Sequence, residues 1–195
     1  MENFFVHETA IVDQGATVGV GTKIWHWTHV SGGAKIGKNV SIGQNVFIGN
    51  RVLIGDNCKI QNNVSIFEGV ELGDKVFCGP SVVFTNVINP RSEFDKKNQF
   101  KKTIIKNGVS IGANSTIVCG NEIGEYAMIG ASSLVTKDIQ PYSLSYGSPA
   151  KHLAWVSKFG EKIIFDKSGN SQFCCKKTGE IYEIKDNKIK IIKNK

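Results

Sequence analysis

The sequence predicts an all-β protein: a parallel β-helix of hexapeptide repeats with an external loop, a short C-terminal helix and a small β appendage. Residues 6–84 divide without a gap into hexads, and each hexad begins with Val, Ile, Leu, Cys or Phe. A period of six fits neither an amphipathic helix nor a simple alternating strand. A fixed short repeat indicates a solenoid, in which stacked coils bury a continuous core.

Three hexads make one triangular coil, so residues 18 positions apart lie above one another at the strand spacing of about 4.8 Å. First and fifth positions face inward, where the first form aliphatic ladders and the fifth are mostly small or β-branched. Asn and Gly at the turns tolerate a left-handed backbone. These turn residues are Asn39, Asn45, Asn57, Asn63 and Gly33.

The repeat breaks at Asn86. Residues 86–102 contain Pro90 and many charged side chains, and they are too many for a corner turn. We therefore expect an external loop over residues 86–104, and loops of this length are usually functional or disordered. The repeat then resumes with first positions at Ile105, Ile111, Ile117, Ile123, Ile129 and Val135. Residues 1–150 are thus predicted to form one β-helix domain with the loop on one corner.

Residues 151–195 form the second predicted unit. After Pro149 we expect a short helix over residues 151–159, followed by a β-hairpin around the turn at Lys177, Thr178 and Gly179. A Lys-rich tail ends the chain. Because the last coil of a solenoid needs covering, we expect the hairpin to cover it.

Composition and charge restrict the classes of function. Hydrophobic residues make up 41% of the chain and no apolar run reaches 18 residues, so no membrane span is expected. The N-terminus lacks the features of a signal peptide, which predicts a cytoplasmic protein. The formal charge of +7 comes largely from the tail and from residues 96–106. No nucleic-acid-binding module accompanies that charge, and a polyanionic small ligand such as a nucleotide diphosphate fits it at least as well.

The five cysteines predict neither disulfides nor a metal site. An odd number without a signal peptide argues against a disulfide framework. Cys58 and Cys78 occupy inward repeat positions and are expected to be small core residues. The adjacent Cys174 and Cys175 have poor spacing for metal ligands.

Stacking predicts two columns of outward side chains at the corners. Asn86 lies above Glu68 and Asn50 at the root of the loop. A second column, on another corner, contains His26, Gln44, Asn62 and Pro80. Turn geometry alone explains many asparagines in such positions, and for Asn50 this explanation is preferred. Asn86 stands where the repeat breaks, which favours a functional role.

None of the four histidines is well placed as a base beside Asn86. His26 and His29 lie about three coils away, roughly 15 Å along the axis. His7 opens the first hexad and His152 follows the prism. The sequence Trp25-His26-Trp27 fits either a subunit interface or a platform for a nucleotide base.

A third candidate region follows the loop. Gly112-Ala113 and Gly130-Ala131 occupy equivalent positions, and small residues let a ligand approach the backbone closely. Lys137 and Lys151 follow and suit phosphate groups. Corner sterics alone also explain the glycines and alanines.

Several motifs resemble one family in particular. They are IWHWTHV, VFCGPSVVFTNVINPRS, IGEYAMIGASSLVTKDI and GSPAKHLAWVSKFGEKI. They resemble the hexapeptide-repeat acyltransferases, and more narrowly the N-acetyltransferases that modify the 3-amino group of nucleotide-linked sugars. The resemblance implies left-handed coils, a homotrimer with active sites between prisms, acetyl-CoA along the later coils and the sugar nucleotide near the loop. It matches Asn86 to the asparagine beside the reacting amine and Arg91 to the loop that closes the site, and it implies no histidine base.

The expected function is therefore acetylation of a UDP- or dTDP-linked amino sugar for surface polysaccharide synthesis, by direct attack of the amine on the thioester. The expected substrate-binding residues are Asn86, Arg91, Glu68, Asn62 and His26, with Asn86 also catalytic. The expected acetyl-CoA-binding residues are Gly112, Ala113, Gly130, Ala131, Lys137 and Lys151, with no metal. Alternatives are an O- or N-acetyltransferase with another small acceptor, a zinc-dependent β-helix of the carbonic anhydrase type, and a non-catalytic scaffold.

Overall fold

Short parallel strands alternate with turns along most of the chain. In the computed structural model, which describes residues 3–165, 172–186 and 188–193, each of three sheets takes every third strand. The chain therefore passes from sheet to sheet at each hexad and rises by one strand spacing per coil. The three sheets, here named A, B and C, enclose the predicted left-handed parallel β-helix.

The strand bounds follow the repeat. Sheet A contains β1 (Phe5–Val6), β4 (Lys23–Ile24), β7 (Ser41–Ile42), β10 (Lys59–Ile60), β13 (Phe77–Cys78), β16 (Ser110–Ile111), β19 (Met128–Ile129), β21 (Ser143–Gly147), β22 (Ala150–Val156) and β23 (Lys162–Ile163). Sheet B contains β2 (Ile11–Val12), β5 (His29–Val30), β8 (Phe47–Ile48), β11 (Ser65–Ile66), β14 (Val83–Phe84), β17 (Thr116–Ile117) and β20 (Leu134–Val135). Sheet C contains β3 (Thr17–Val18), β6 (Lys35–Ile36), β9 (Leu53–Ile54), β12 (Val70–Leu72), β15 (Thr103–Ile105) and β18 (Glu122–Ile123).

The core is a set of ladders along the prism axis. One ladder in sheet A joins Ile24, Ile42, Ile60, Cys78, Ile111 and Ile129, all fully or almost fully buried. Each buried aliphatic side chain stabilises the fold by about 1.5–3 kcal/mol relative to an exposed one. Cys58 and Cys78 are buried here as predicted. Burial raises the pKa of the Cys58 thiol to about 11 and that of Cys78 further.

The corner turns use a left-handed residue, as the asparagine pattern predicts. Asn39, Asn45, Asn57 and Asn63 have φ between 54° and 61°. Gly33 does not take a left-handed conformation. A Cβ on Gly33 would instead collide with the side chain of Asn50 in the next coil, which is the reason for a glycine there.

The interruption forms the predicted external loop. It connects β14 to β15 and contains one 3₁₀ turn, Lys97–Gln99. The backbone N–H of Lys101 donates to the carbonyl of Asn86 (2.9 Å), which closes the loop at its root. Because β15 begins at Thr103, the loop ends two residues earlier than expected.

The predicted helix over residues 151–159 is wrong. Ala150–Val156 forms β22 and pairs antiparallel with β21, after a reversal at Gly147 with φ 105°. The physical reason lies in the last coil, which leaves one edge of sheet A unpaired. A strand that pairs with this edge satisfies its backbone groups, whereas an isolated helix of two turns is marginal in water.

The predicted β appendage is present as a separate antiparallel sheet of β24 (Gln172–Cys174), β25 (Ile181–Lys185) and β26 (Lys188–Lys193). Tyr182 is fully buried and shares a hydrophobic cluster with Tyr142 and Trp155. This cluster is separate from the prism core, so the appendage packs beside the last coils rather than on their inward-facing residues. Lys195, the last residue of the predicted tail, lies outside the described residues.

Acidification is expected to loosen this appendage through Glu180. Its carboxylate accepts hydrogen bonds from Tyr182 (2.6 Å) and Thr178 (3.0 Å) and pairs with Lys158 (3.1 Å). Burial raises the pKa of Glu180, but these three donors outweigh burial and hold the pKa below its ordinary 4.5. The contribution to stability is therefore complete above pH 4.5 and is lost as the pH falls through the lowered pKa. Near-UV circular dichroism of the tyrosine cluster should show this acid transition, and Glu180→Gln should abolish it.

Candidate active site

Two corners of the prism flank sheet B, and they hold different candidate residues. The groove corner, between sheets A and B, is defined by the column His26, Gln44, Asn62, Pro80, Ala113 and Ala131. The loop corner, between sheets B and C, is defined by the column Asn50, Glu68, Asn86, Cys119 and Lys137. One protomer therefore separates Asn62 and His26 from Asn86 and Glu68 by the width of a sheet.

Asn86 lies at the loop corner in the same coil as Pro80. Its level along the axis is one coil above Asn62 and one coil below Ala113. The backbone carbonyl of Asn86 is occupied by Lys101, and the side chain is partly exposed. Within the described residues, that side-chain amide makes no hydrogen bond, so it is available to a ligand.

Glu68 and Arg91 differ in how available they are. Arg51 Nε donates to Glu68 Oε1 (2.8 Å), and a second guanidinium nitrogen contacts the same oxygen. Glu68 is therefore already neutralised within its own chain. Arg91 lies on the exposed part of the loop, where its guanidinium donates to the carbonyl of Pro90 (3.1 Å).

The glycines of the groove corner are explained by coil stacking. A Cβ on Gly112 would lie 2.7 Å from the Cα of Ala131, and one on Gly130 would lie 2.7 Å from the Cβ of Tyr146. Their backbone N–H groups are also used, because they donate to the carbonyls of Ile129 (2.8 Å) and Ser145 (2.9 Å).

The alanines beside them offer free donors. Elsewhere, the N–H at this turn position is capped by the side chain 18 residues later, as in Gln44 to Asn62 (3.0 Å) and Lys38 to Asp56 (2.7 Å). Ala113 has Ala131 at that place, which carries no acceptor. In the part of the chain that the structure describes, the N–H groups of Ala113 and Ala131 have no hydrogen-bond partner. The absence of Asn or Asp 18 residues downstream is the sequence signal that marks them.

An aromatic cluster lines the early part of the groove corner. His7 and His26 stack with ring centroids 3.5 Å apart, and Trp25 lies nearly parallel to His26 (10°, 6.2 Å). Trp25, His26, Gly43, Gln44 and Asn62 line an open cleft of about 290 Å³.

The histidines are placed as the repeat predicts. His26 lies three strand spacings before the level of Asn86, on the other corner. His29 pairs with Asp13 (3.1 Å). Within the described ranges, no three His, Cys, Asp or Glu side chains cluster to hold a metal. The described residues also contain no helix long and apolar enough to cross a membrane.

One polar cluster was not anticipated. The hydroxyl of Ser143 lies 2.7 Å from His152 Nδ1 and 2.8 Å from Ser145 Oγ, and both serines are buried. Burial lowers the pKa of His152. The expected helix hid this cluster, because the antiparallel pairing of β21 with β22 is what brings His152 beside Ser145.

The two lysines expected at the cofactor site are separated. Lys137 stands on the loop corner, two coils above Asn86, and is exposed. Lys151 pairs opposite Tyr146 at the end of the groove corner. Of the six residues expected to bind acetyl-CoA, five therefore lie on or beside the groove corner.

Comparison with known families agrees with the repeat. The family model described as bacterial transferase hexapeptide (six repeats) matches residues 15–50. The model described as hexapeptide repeat of succinyl-transferase matches residues 33–68 and 102–137, on both sides of the loop. Together with the three-sided β-helix, these matches define the class of protein: the chain belongs to the hexapeptide-repeat family.

Particular relatives narrow the likeness. A segment of 66 residues is 56% identical to the dTDP-3-amino-3,6-dideoxy-alpha-D-galactopyranose 3-N-acetyltransferase of Aneurinibacillus thermoaerophilus, and it covers 34% of each chain. A segment of 62 residues is 42% identical to a chloramphenicol acetyltransferase of Klebsiella aerogenes, covering 32% of this chain and 30% of that one. The chain thus spans about a third of the length of these relatives. A maltose O-acetyltransferase from Clostridium difficile 630 superposes with a TM-score of 0.54 at 25% identity, covering 60% of this chain and 67% of that one.

Proposed function

We propose that the protein is an acetyl-CoA-dependent N-acetyltransferase that acetylates the 3-amino group of a UDP- or dTDP-linked amino sugar. The observation that carries this proposal is the pair of free N–H groups at Ala113 and Ala131, one and two coils above the level of Asn86. The relative from Aneurinibacillus thermoaerophilus, whose name specifies this reaction class, supports it. We place the reaction in the cytoplasm, in the synthesis of surface polysaccharide.

The proposed reaction is direct transfer. The neutral sugar amine attacks the thioester carbonyl carbon, so a C–N bond forms and the carbonyl oxygen becomes an oxyanion. The free N–H of Ala113 or Ala131 donates to that oxyanion, which stabilises charge that develops only during the reaction. The side-chain oxygen of Asn86 accepts a hydrogen bond from the amine and orients its lone pair. The C–S bond then breaks, and the departing thiolate takes the proton that the nitrogen loses.

Assembly is proposed to complete the site. The outward ladder of sheet B carries no acidic or lysine side chain, whereas sheets A and C present lysines and glutamates such as Lys23 and Glu71. The sheet B ladder consists of Ile11, His29, Phe47, Ser65, Val83, Thr116 and Leu134. Such a face suits contact with other copies. Three prisms that turn sheet B toward a common axis place the loop corner of one beside the groove corner of the next.

The trimer can be tested with a charge on this face. Phe47→Glu should dissociate the assembly and remove activity, because a carboxylate would be buried against the neighbouring prism. Phe77, at the same strand position on sheet A and 37% exposed, provides the control. Sedimentation velocity should show monomers for Phe47→Glu and the wild-type assembly for Phe77→Glu. Trimers of Phe47→Glu would contradict the proposed interface.

The activity itself is tested by release of free CoA thiol from acetyl-CoA. UDP- and dTDP-linked 3-amino sugars should accelerate this release, and mass spectrometry should find the acetyl group on nitrogen. The second candidate function is acetylation of a hydroxyl on another small acceptor, which the likeness to a chloramphenicol acetyltransferase favours. Turnover with hydroxyl acceptors alone would replace the first proposal by the second.

A further inference from the structure

We infer that the cleft lined by Trp25, His26, Gly43, Gln44 and Asn62 holds the nucleotide base, and that Asn62 makes it prefer uracil or thymine to cytosine. This inference rests on the proposed function, since it concerns the same sugar nucleotide. The observations behind it are the ring stack, the hydrogen bond that Asn62 already makes, and the position of the cleft along the groove corner.

The cleft provides faces on which a flat ring can stack. Trp25 is 39% exposed, and its ring is nearly parallel to that of His26. His26 is in turn supported by His7 at 3.5 Å, which fixes the orientation of its ring. Stacking of a base on an aromatic side chain contributes about 1–3 kcal/mol and does not depend on which base it is. The rings therefore hold a base without choosing among bases.

The choice comes from Asn62. Its side-chain oxygen already accepts the backbone N–H of Gln44 (3.0 Å), so its NH₂ group is what remains for a ligand. Within the described residues, neither this NH₂ group nor the side-chain amide of Gln44 has another partner. A donor fixed at this place suits the carbonyl oxygens of uracil and thymine. Cytosine would present its own amino group to the donor, and two facing donors leave both unsatisfied.

The distance along the groove fits a sugar nucleotide. Gln44 lies three strand spacings before Ala113, which corresponds to about 14 Å. The diphosphate and the sugar would occupy this interval, alongside Pro80. The level of Asn86 falls within it, one coil before Ala113. The base cleft and the free N–H groups are therefore separated by a length that a nucleoside diphosphate can bridge.

The test reverses the hydrogen-bonding character of this one side chain. Asn62→Asp keeps the cap on Gln44, since aspartates cap the equivalent N–H groups elsewhere (Asp56 on Lys38, 2.7 Å; Asp74 on Asp56, 2.8 Å). It replaces the free donor by an acceptor. We expect wild-type protein to bind UDP at least about tenfold more tightly than CDP, and Asn62→Asp to reduce that ratio at least about tenfold. Added charge weakens both nucleotides, so the ratio measured by calorimetry is the readout.

Controls separate this inference from the proposed function. Asp56→Asn makes the reciprocal change on the corner between sheets C and A and should leave the ratio unchanged. Trp25→Ala should weaken UDP and CDP equally. A ratio that stays the same in Asn62→Asp, or wild-type protein that binds CDP as tightly as UDP, would overturn the inference even if acetyl transfer to UDP- or dTDP-linked amino sugars proceeds. Absence of acetyl transfer in wild-type protein that still prefers UDP would overturn the proposed function instead.

Discussion

Asn86→Ala should lower kcat/KM by about 100-fold or more, because loss of a group that orients a nucleophile can cost this much. The substitution removes the side-chain amide that the chain itself leaves unbonded. It keeps the backbone carbonyl that accepts Lys101 N–H (2.9 Å), so the root of the loop is retained. The loss should therefore fall mainly on kcat, with the trimer intact. Steady-state kinetics with the sugar nucleotide, together with sedimentation and circular dichroism, measures both parts of this prediction.

The histidines provide the comparison for Asn86. His26→Ala and His29→Ala should change kcat little, because His26 lies three strand spacings from the level of Asn86 and His29 points from sheet B to Asp13. His26→Ala should raise KM for the sugar nucleotide if the base stacks there. A collapse of kcat in His26→Ala, with the trimer preserved, would rule out the mechanism without a histidine base.

Gly112→Ala should destabilise the protein by about 3 kcal/mol or more, even with no ligand present. The added Cβ would meet the backbone of the next coil, 2.7 Å from the Cα of Ala131, and no flexible side chain can move aside. One coil would have to separate from the next, with loss of the hydrogen bond from Gly112 N–H to Ile129. Chemical denaturation without acetyl-CoA measures the change in the free energy of unfolding.

Ala113→Gly is the matched control for Gly112→Ala. It changes one methyl group on the neighbouring residue, introduces no clash and should cost about 1 kcal/mol or less. If Gly112→Ala instead kept wild-type stability but lost affinity for acetyl-CoA, the glycine would serve the ligand rather than the stacking. That result would also return Gly112 to the set of direct ligand contacts.

The period of six predicts the fold well because it is a tertiary constraint written into the local sequence. Residues 18 apart must stack, so the level of Asn86 relative to Asn62 and His26 follows without a structure. The ion pair between Arg51 and Glu68 was not predicted, since it joins residues 17 apart, across neighbouring turn positions. Likewise, the free N–H groups of Ala113 and Ala131 are recognised only when the capping side chains of other coils are seen.

The region after the last coil could not be predicted in the same way. Residues 150–156 carry no repeat, and their local pattern allows a helix. What decides their conformation is the unpaired edge of sheet A, which lies outside the segment itself. The contact between Ser143 and His152 depends on that pairing, so it was hidden by the same error.

The stacking of coils also means that the prism works as a ruler. Base cleft, reacting amine and free N–H groups are marks on one straight column, spaced by whole coils of about 4.8 Å. The interval between two marks can change by adding or removing 18 residues, and by no smaller step that keeps every first position inside. A relative with one more coil between the levels of Asn62 and Ala113 would therefore accept a donor and an acceptor whose combined length is greater by that one graduation.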